Sequence, residues 1–374
     1  MLDEVEPAVR ACLEGTAPLA VLPAGPPAAL AAAEAVLRPA EPLEDGADLV
    51  VVTSGTTGTG RGVLLAAAAL RASAEATLER LGGPGDWLLA LPVSAIAGLQ
   101  VLCRSALAGR RPTVLAKDEP LADALARMPR GRRYTALVPT QLRRLLAAEP
   151  EALRAFDAVL VGGAATDPGL LDRAREAGVA VITTYGMTET AGGCVYDGRP
   201  LAGVRVAVDD DGVRLAGPTL ALGYRGDLEG TAAAFAGGWF RTRDAGTLAA
   251  DGTLTVHGRL DDVVISGGVN VAPLAVEAAL REHSAVADAV VFGAPDDEWG
   301  QRVVAAVVPA PGARPELSAL RRWVADRLGT AAAPRELHLV AAVPVLHTGK
   351  PDRRGLAAAV LGAATATPTT ARVG

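Results

Sequence analysis

The sequence has 374 residues, of which half are hydrophobic and 21% are charged, a balance typical of a globular protein with a substantial core. This length exceeds the size at which a single core usually stops growing, which predicts two structural units. The formal net charge of -6 provides no basic excess of the kind that binds DNA or RNA. Nucleic acid is therefore not an expected partner.

Cysteine content and the N-terminal pattern indicate where the protein acts. Cys12, Cys103 and Cys194 form neither a CxxC pair nor an even disulfide set, which is typical of a reducing compartment. The first residues are acidic and helical in pattern, without the basic start and apolar core of a signal peptide. No apolar run reaches the ~20 residues that a membrane span needs. We therefore expect a cytoplasmic protein without a membrane span.

Short apolar runs alternate with helical stretches rich in Ala, Leu and Arg between residues 49 and 185. Each run has the length of a strand and is followed by Gly, Pro, Ser or Thr. The runs are LVVVTSG, WLLALP, TVLA, YTALVP, AVLVGG and VAVITTYG. This alternation predicts an α/β fold with a mostly parallel sheet flanked by helices, in which ligands bind at the carboxyl ends of the strands.

The pattern changes after residue 200. Short alternating strands with Gly and Asp-Gly turns over residues 200–260 predict an antiparallel, β-rich subdomain. A helix near 273–283, the strands ADAVVFGA and QRVVAAVVP, a helix near 316–328 and the strand ELHLV then predict a small α+β lobe. We expect a large domain over residues 1–260, a small lobe over 261–362 and a flexible tail over 363–374.

A loop rich in Ser, Thr and Gly directly follows the first apolar run. Its glycines allow the backbone to approach an anion, while its amides and hydroxyls can donate hydrogen bonds to phosphate oxygens. The loop lacks the GK[ST] ending of P-loop ATPases, and its composition alone would also fit a flexible surface turn. Its position after a strand favours a phosphate-binding loop made of Thr53, Ser54, Gly55, Thr56, Thr57, Gly58 and Arg61.

Three further segments carry the chemistry of a nucleotide site. Tyr185, after the last strand of the sheet, offers a ring that can stack on a base, and Glu189 offers a carboxylate for Mg²⁺ on a triphosphate. Asp244 can bind ribose hydroxyls, and Arg259 can bind the sugar or a phosphate. Lys350, one of only two lysines, lies in a Gly-flanked loop where an ammonium can stabilise developing charge. Taken singly, a helix cap, a surface ion pair or a solvated basic loop explains these residues as well.

In this order the segments resemble the signature motifs of the superfamily of acyl-CoA synthetases, peptide-synthetase adenylation domains and luciferases, over residues 49–354. The resemblance implies a large AMP-binding domain, a small mobile C-terminal lobe, and ATP, Mg²⁺ and CoA as ligands. It implies that Lys350 is the catalytic lysine, that Glu189 is the metal ligand, that Asp261 is the hinge, and that Gly267 and Gly268 form the CoA-side loop. The implied adenine- and AMP-binding residues are Gly162, Gly163, Ala164, Thr184, Tyr185, Gly186, Met187, Thr188, Asp244 and Arg259.

Within that superfamily the chain is most similar to the 2-succinylbenzoate-CoA ligase subgroup, in the segments LALPVSAIAGLQVL, YTALVPTQL, TYGMTETAGGCVYDGRPL and GQRVVAAVV. The similarity implies formation of 2-succinylbenzoyl-CoA, AMP and pyrophosphate through an acyl-adenylate in menaquinone biosynthesis. The alternatives are a CoA ligase for another aromatic or short dicarboxylic acid, an adenylation domain that serves a carrier protein, and a non-catalytic nucleotide-binding homologue. A homodimer is the default expectation for assembly.

The chain departs from the motifs of this superfamily at three positions. Arg61 stands where lysine is usual, Arg243 stands where glycine usually precedes the ribose aspartate, and Ala95 replaces a frequent histidine near the acyl and thiol channel. A dicarboxylic substrate also needs a second cationic or polar anchor. A surface or helix-capping role is the alternative for each candidate anchor, and the candidates are Arg104, Ser94, Gln100, Thr140 and Gln141.

Overall fold

The computed structural model of the chain describes residues 2–22, 27–53, 60–345 and 352–363. The chain divides into two compact units. The large unit comprises the residues up to 166 together with 170–242 and 248–254. The small unit comprises residues 167–169 and 243–247 and the chain from residue 255 onward.

The described helices are rich in Ala and Leu, which are strong helix formers. None of them combines the length and the apolar character that crossing a bilayer requires. They are α1 (Leu2–Leu13), α2 (Pro27–Leu37), α3 (Ala67–Arg80), α4 (Ile96–Leu107), α5 (Leu121–Arg127), α6 (Pro139–Ala148), α7 (Pro150–Arg154), α8 (Pro168–Glu176), α9 (Leu228–Ala234), α10 (Pro273–Arg281), α11 (Leu317–Leu328) and α12 (Arg353–Ala363).

The described strands fall into separate sheets in the two units, and many of them are short. They are β1 (Leu19–Val21), β2 (Leu49–Thr53), β3 (Arg61–Leu65), β4 (Asp86–Leu89), β5 (Thr113–Val114), β6 (Arg133–Leu137), β7 (Ala158–Val161), β8 (Val181–Met187), β9 (Gly192–Tyr196), β10 (Arg199–Pro200), β11 (Arg205–Asp209), β12 (Gly212–Ala216), β13 (Gly223–Tyr224), β14 (Phe235–Ala236), β15 (Trp239–Arg241), β16 (Asp244–Leu248), β17 (Leu254–Arg259), β18 (Val264–Ser266), β19 (Val269–Val271), β20 (Val286–Asp296), β21 (Gly300–Pro309) and β22 (Glu336–Leu339).

The main sheet of the large unit has the order β10-β9-β8-β7-β6-β4-β5. Strands β5, β4, β6, β7 and β8 are parallel, while β9 and β10 run antiparallel at one side. Leu88, Leu137 and Val159 are buried with helix residues Leu121 and Leu142 in one core cluster. The strands are continuous apolar runs because helices cover the sheet. The parallel pairing of its strands confirms the predicted α/β arrangement for this sheet.

The first apolar run lies outside the parallel sheet. Strand β2 belongs to a second sheet with the order β1-β2-β3-β13, in which it is parallel to β1 and antiparallel to β3. Thr53 pairs with Arg61, so the expected phosphate loop connects two adjacent antiparallel strands. The prediction that β2 joins the parallel sheet is wrong, because an apolar run indicates burial and not the partner strand.

The β-rich region after residue 200 is confirmed. Its antiparallel sheet has the order β11-β12-β15-β14, and strands β16 and β17 form a two-stranded sheet. Asp209 pairs with Gly212 across a tight turn, and the φ angle of +106° at Gly212 lies in the region that favours glycine. These short strands therefore follow the Asp-Gly turn that the sequence contains.

The small unit contains the expected α+β elements. Its sheet has the order β19-β18-β21-β20, with β22 parallel to β21. Helices α10 and α11 pack together, and the indole Nε1 of Trp323 donates a hydrogen bond to the carbonyl of Ala279 at 2.7 Å. Of the expected tail over 363–374, all residues after Ala363 lie outside the described residues.

A buried arginine joins two distant parts of the large unit. The side chain of Arg225, which follows β13, is only 2% exposed and pairs with the carboxylate of Glu44 at 2.8 Å. It also donates hydrogen bonds to the backbone carbonyls of Leu37, Arg38, Glu41 and Pro42. This anchor holds the segment over residues 37–44 against the end of β13.

Candidate active site

The carboxyl ends of β7 and β8 bring two expected nucleotide residues together. Gly162 follows β7, and a Cβ atom added there would lie 2.2 Å from the hydroxyl oxygen of Thr184. That hydroxyl donates to the carbonyl of Val161 at 3.4 Å. Only glycine permits this close approach, so Gly162 allows the β7 and β8 ends to form one surface.

The segment TYGMTE comprises the end of β8 and the start of the sharp turn after it. A Cβ atom on Gly186 would lie 2.2 Å from the carbonyl oxygen of Gly192, so strand β9 packs closely against it. The hydroxyl of Thr190 accepts a hydrogen bond from the Met187 amide at 3.0 Å and donates to the Gly192 carbonyl at 2.7 Å. Thr190 caps this turn, whereas Thr188 is buried and has no capping hydrogen bond.

Glu189 lies in this turn and contacts a residue that sequence analysis missed. Its Oε1 atom accepts a hydrogen bond from the hydroxyl of Tyr224 at 3.2 Å, and its backbone carbonyl accepts one from Ala221 at 2.8 Å. The guanidinium of Arg61 lies 4.9 Å from the centre of the Tyr224 ring. Tyr224 therefore connects the expected metal ligand to the arginine of the expected phosphate loop.

The donor set around Glu189 fits a magnesium ion that arrives with a nucleotide. Across residues 2–22, 27–53, 60–345 and 352–363, no group of three or more His, Cys, Asp and Glu side chains is arranged to hold a metal. Mg²⁺ on a nucleotide needs only one or two protein carboxylates, because phosphates and water supply its other ligands. Glu189 is a carboxylate of this kind.

A buried cation lies between α3, α4 and the main sheet. Arg104 on α4 is 3% exposed, and no carboxylate of the described chain lies within ion-pair distance of it. Its Nη2 atom donates to the hydroxyl of Tyr196 at 3.4 Å, and its guanidinium lies 4.9 Å from the centre of the Trp87 ring. The Tyr196 hydroxyl in turn lies 3.0 Å from that of Thr77. An aromatic face and a phenol stabilise the charge only in part.

Further buried polar groups lie one turn earlier on α4 and on the neighbouring α3. The Nε2 atom of Gln100 donates to the carbonyl of Ala191 at 2.8 Å, but its Oε1 atom and the hydroxyl of Ser73 have no partner among the described residues. A Cβ atom on Gly192 would lie 3.2 Å from Gln100 and 3.8 Å from the Ser73 hydroxyl. These unsatisfied groups therefore lie next to the turn that contains Glu189, where a bound polar ligand would satisfy them.

The other expected substrate contacts differ in their surroundings. Gln141 accepts a hydrogen bond from the Val138 amide at 3.0 Å and donates to the Ala90 carbonyl at 2.9 Å, so it caps α6. Thr140 is exposed, and Ser94 is half-buried in the turn before α4. Ala95 occupies the N-cap position of that helix. Gln141 therefore has a helix-capping role, which was the alternative to its expected role as a substrate anchor.

The expected ribose residues lie together in the small unit. Asp244 is buried, and its Oδ1 atom lies 3.8 Å from the Nε atom of Arg259. Arg259 also donates to the carboxylate of Asp261 at 3.3 Å. Arg243 donates to both oxygens of Asp261, at 3.1 and 3.0 Å. Arg243, which precedes the expected ribose aspartate, is therefore an ion-pair partner of the expected hinge residue.

We expect Arg243→Gly to change kcat by less than about fivefold, because an exposed ion pair contributes ~0–1 kcal/mol. The side chains of Arg243 and Asp261 are 70% and 35% exposed. Steady-state rates at low and high salt would measure the effect, and the difference from the unaltered protein should disappear at high salt. A tenfold or larger effect that persists in salt would contradict this expectation. Arg199→Gly, which removes an exposed pair with Asp251, is the matched control.

The expected CoA-side loop is a tight hairpin in the small unit. Gly267 and Gly268 have φ angles of +59° and +78°, and a Cβ atom on Gly267 would lie 2.6 Å from the Trp299 ring. Ile265 and Val269 flank this turn and are 54% and 50% exposed. Both glycines are therefore required by the backbone, and the hairpin presents an apolar surface to solvent.

Several expected site residues lie outside the described residues. They are Ser54, Gly55, Thr56, Thr57 and Gly58 of the phosphate loop and the lysine at position 350, Lys350. Thr53, at the start of the loop, donates from its hydroxyl to the Arg61 carbonyl at 3.3 Å. Gly163 and Ala164 follow Gly162, and Gly163 has a φ angle of +81° that favours glycine.

The parallel sheet with glycine-lined strand ends, the carboxylate in the turn after β8 and the separate α+β unit together define an adenylate-forming fold. The family model for the AMP-binding enzyme matches residues 5–224, and that for the AMP-binding enzyme C-terminal domain matches residues 275–350. The chain belongs to the AMP-binding enzyme family.

Named relatives are similar over most of their length. The chain is 50% identical over 331 residues to "Probable 2-succinylbenzoate--CoA ligase" of Mycobacterium tuberculosis, with 86% of each chain covered. It is 34% identical over 351 residues to the 2-succinylbenzoate--CoA ligase of Geobacillus kaustophilus, with 87% of this chain and 71% of the relative covered.

Solved structures show the same fold. The o-succinylbenzoate CoA synthetase of Bacillus subtilis in complex with its acyl-adenylate intermediate is 27% identical, with a TM-score of 0.76 over 94% of this chain and 80% of that one. The amide bond synthetase McbA of Marinactinospora thermotolerans is 32% identical, with a TM-score of 0.73 over 84% of this chain and 70% of that one.

Proposed function

We propose that the chain joins 2-succinylbenzoate to CoA at the expense of ATP, with release of AMP and pyrophosphate. The observation that carries this proposal is the buried guanidinium of Arg104, which no carboxylate of the described chain neutralises. The proposal is also supported by the named activity of relatives that match most of the chain. With 2-succinylbenzoate as the acid, the proposed reaction is a step of menaquinone biosynthesis.

The surroundings of Arg104 fit one end of a dicarboxylic acid. An unpaired buried charge costs several kcal/mol, and a bound carboxylate would offset that cost. The partnerless oxygen of Gln100 and the Ser73 hydroxyl offer further polar contacts along the same helix pair. 2-Succinylbenzoate carries two carboxylates, so one can pair with Arg104 while the other is activated. Monocarboxylic acids would leave the guanidinium unneutralised.

In the first half-reaction an oxygen of the activated carboxylate attacks the α-phosphorus of ATP, and the bond to the bridging oxygen breaks to release pyrophosphate. Lys350 stabilises the charge that develops on the phosphate oxygens. The phosphate loop with Arg61 holds the β- and γ-phosphates, the residues around Gly162 and Tyr185 bind adenine, and Asp244 and Arg259 bind ribose. Mg²⁺, held by Glu189 and the phosphates, would supply positive charge that neutralises the triphosphate.

In the second half-reaction the CoA thiol gives its proton to solvent, and its sulfur attacks the carbonyl carbon of the acyl-adenylate. The bond between that carbon and the phosphate oxygen then breaks, and AMP leaves. The hairpin that contains Gly267 and Gly268 lines the approach of the thiol, and its exposed Ile265 and Val269 suit the apolar part of a pantetheine arm.

The domain organisation, compartment and assembly belong to the same proposal. Residues 1–260 form the AMP-binding domain, and residues 261–362 form a mobile lobe that turns about Asp261. The enzyme acts in the cytoplasm, which is consistent with three buried, unpaired cysteines. A homodimer is proposed as the default assembly of such an enzyme.

Product formation by mass spectrometry tests the function. The protein would be given ATP, Mg²⁺ and CoA with 2-succinylbenzoate, benzoate, malonate or a medium-chain fatty acid, and a parallel set would contain an amine instead of CoA. We expect 2-succinylbenzoyl-CoA and AMP well above all other products. A different preferred acid would keep the mechanism and reject the pathway. An amide product in the amine set, with no thioester in the CoA set, would reject CoA as the acceptor.

Two other outcomes would reject the CoA ligase entirely. Exchange of labelled pyrophosphate into ATP without any thioester would indicate an adenylation domain that serves a carrier protein. Absence of both AMP and exchange with every acid would indicate a non-catalytic nucleotide-binding protein.

A further inference from the structure

The position of Tyr224 is fixed from several sides. Strand β13 pairs with β3, so that Tyr224 lies opposite Val63, and the Tyr224 amide donates to the Thr231 hydroxyl at 2.9 Å. The ring is 6% exposed and meets the ring of Phe235 edge-on at 5.7 Å. Since backbone and ring are both held, the direction of the hydroxyl is set before any ligand binds.

The hydroxyl of this fixed ring reaches the carboxylate of Glu189. The distance from the Tyr224 hydroxyl to Oε1 is 3.2 Å, and the backbone of Glu189 is held by the Ala221 amide at 2.8 Å. The Tyr224 hydroxyl donates this hydrogen bond, because a carboxylate oxygen can only accept one. A neutral donor orients the carboxylate without cancelling its negative charge, whereas Lys or Arg would cancel it.

The face of the same ring contacts a cation. The guanidinium of Arg61 lies 4.9 Å from the ring centre, and Arg61 begins β3 directly after the phosphate loop. Its attraction to the π-face places positive charge on one part of Tyr224 while the hydroxyl faces an anion. Packing alone would need only a phenyl ring, so the hydroxyl is the feature that a structural role does not explain.

We infer that Tyr224 is a positioning residue that orients the Glu189 carboxylate toward the divalent cation of the bound metal-nucleotide complex. This inference rests on the proposed function in one respect, namely that the bound nucleotide is ATP. It adds to that function a residue that contacts neither substrate nor metal and acts through Glu189.

The test uses the full chain and measures binding rather than turnover. Affinity for Mn²⁺ would be titrated in the presence of saturating ATP and no acid, and affinity for ATP would be titrated separately in the presence of a chelator. We expect Tyr224→Phe to weaken Mn²⁺ binding by roughly tenfold, the effect of losing a hydrogen bond to a charged group, and to leave metal-free ATP affinity unchanged. Glu189→Gln should weaken Mn²⁺ binding at least as much, and the double variant should add little.

Tyr134→Phe is the matched control. Tyr134 is also buried and its hydroxyl donates to backbone carbonyls of Leu81 and Gly83 at 3.1 Å, but it lies in the main sheet. This variant should lower the melting temperature without changing Mn²⁺ affinity. Unchanged Mn²⁺ affinity in Tyr224→Phe would overturn the inference, and so would an equal loss of metal-free ATP affinity, which would make Tyr224 a packing residue.

The binding readout separates this inference from the proposed function. If no acid yields a thioester but Tyr224→Phe still weakens Mn²⁺ binding, the proposed function fails and the role of Tyr224 stands. If 2-succinylbenzoyl-CoA forms and Mn²⁺ binding does not respond to Tyr224→Phe, the function stands and the role of Tyr224 is rejected.

Discussion

Replacement of Arg104 by methionine should raise the KM for 2-succinylbenzoate by about 30-fold or more, because loss of one partner of a buried charged pair costs ~2–5 kcal/mol. The KM for ATP should not change. The melting temperature should stay constant or rise, since methionine removes an unpaired buried charge and fills a similar volume. Steady-state kinetics with each substrate varied, together with thermal unfolding without ligands, would measure both effects.

Two comparisons make the Arg104 prediction specific. Arg104→Lys keeps the charge but not the planar fork, so it should recover only part of the affinity. Activity toward benzoate, which has one carboxylate, should be equally low in the unaltered protein and in Arg104→Met. If the melting temperature of the methionine variant falls by several degrees and its activity toward both acids falls equally, Arg104 is a packing residue of the α3–α4 pair. The substrate assignment is then rejected.

Replacement of Lys350 by alanine should slow acyl-adenylate formation by ~10²–10³-fold, the usual effect of removing one preorganised donor to developing charge. The variant should still transfer the acyl group to CoA when it receives preformed adenylate, because the triphosphate takes no part in that step. Single-turnover assays of the two half-reactions would measure this split.

The second lysine supplies a matched control for Lys350. Lys117 is exposed on the large unit, so Lys117→Ala should change neither half-reaction. An equal loss of both half-reactions in Lys350→Ala would contradict its assignment to the first step.

The parts of the fold that sequence predicted are those fixed by local pattern. Strands β4, β6, β7 and β8 are apolar runs with turn residues after them, and helices α10 and α11 follow the amphipathic spacing of their residues. Strand β2 has an equally apolar sequence, yet its partners are β1 and β3. Strand pairing depends on distant residues, so a local pattern could not assign β2 to its sheet.

The candidate site was predictable only where motifs are contiguous. Gly162 follows β7, Thr184 lies within β8 and Glu189 lies in the turn after β8, as expected. Tyr224 and Arg225 belong to a two-residue strand and the turn after it, and a single Tyr-Arg pair carries no periodic signal. The burial of Arg104 could not be predicted from the sequence either, because an arginine in a helix is usually solvated. Gln141 is a case in which local rules were sufficient, since Gln at the third helix position commonly caps it.

The Arg225 anchor has a consequence for how the chain acquires its structure during synthesis. Its acceptors lie 181 to 188 residues earlier in the chain, so the segment over 37–44 leaves the ribosome long before its partner. At about 5–20 residues per second, this interval is about 10 to 40 s. Strand β3 waits somewhat less long for β13, because Tyr224 and its partner Val63 are 224 − 63 = 161 residues apart. The N-terminal sheet therefore completes late in translation, and until then the edge of β3 is open to pairing with other chains.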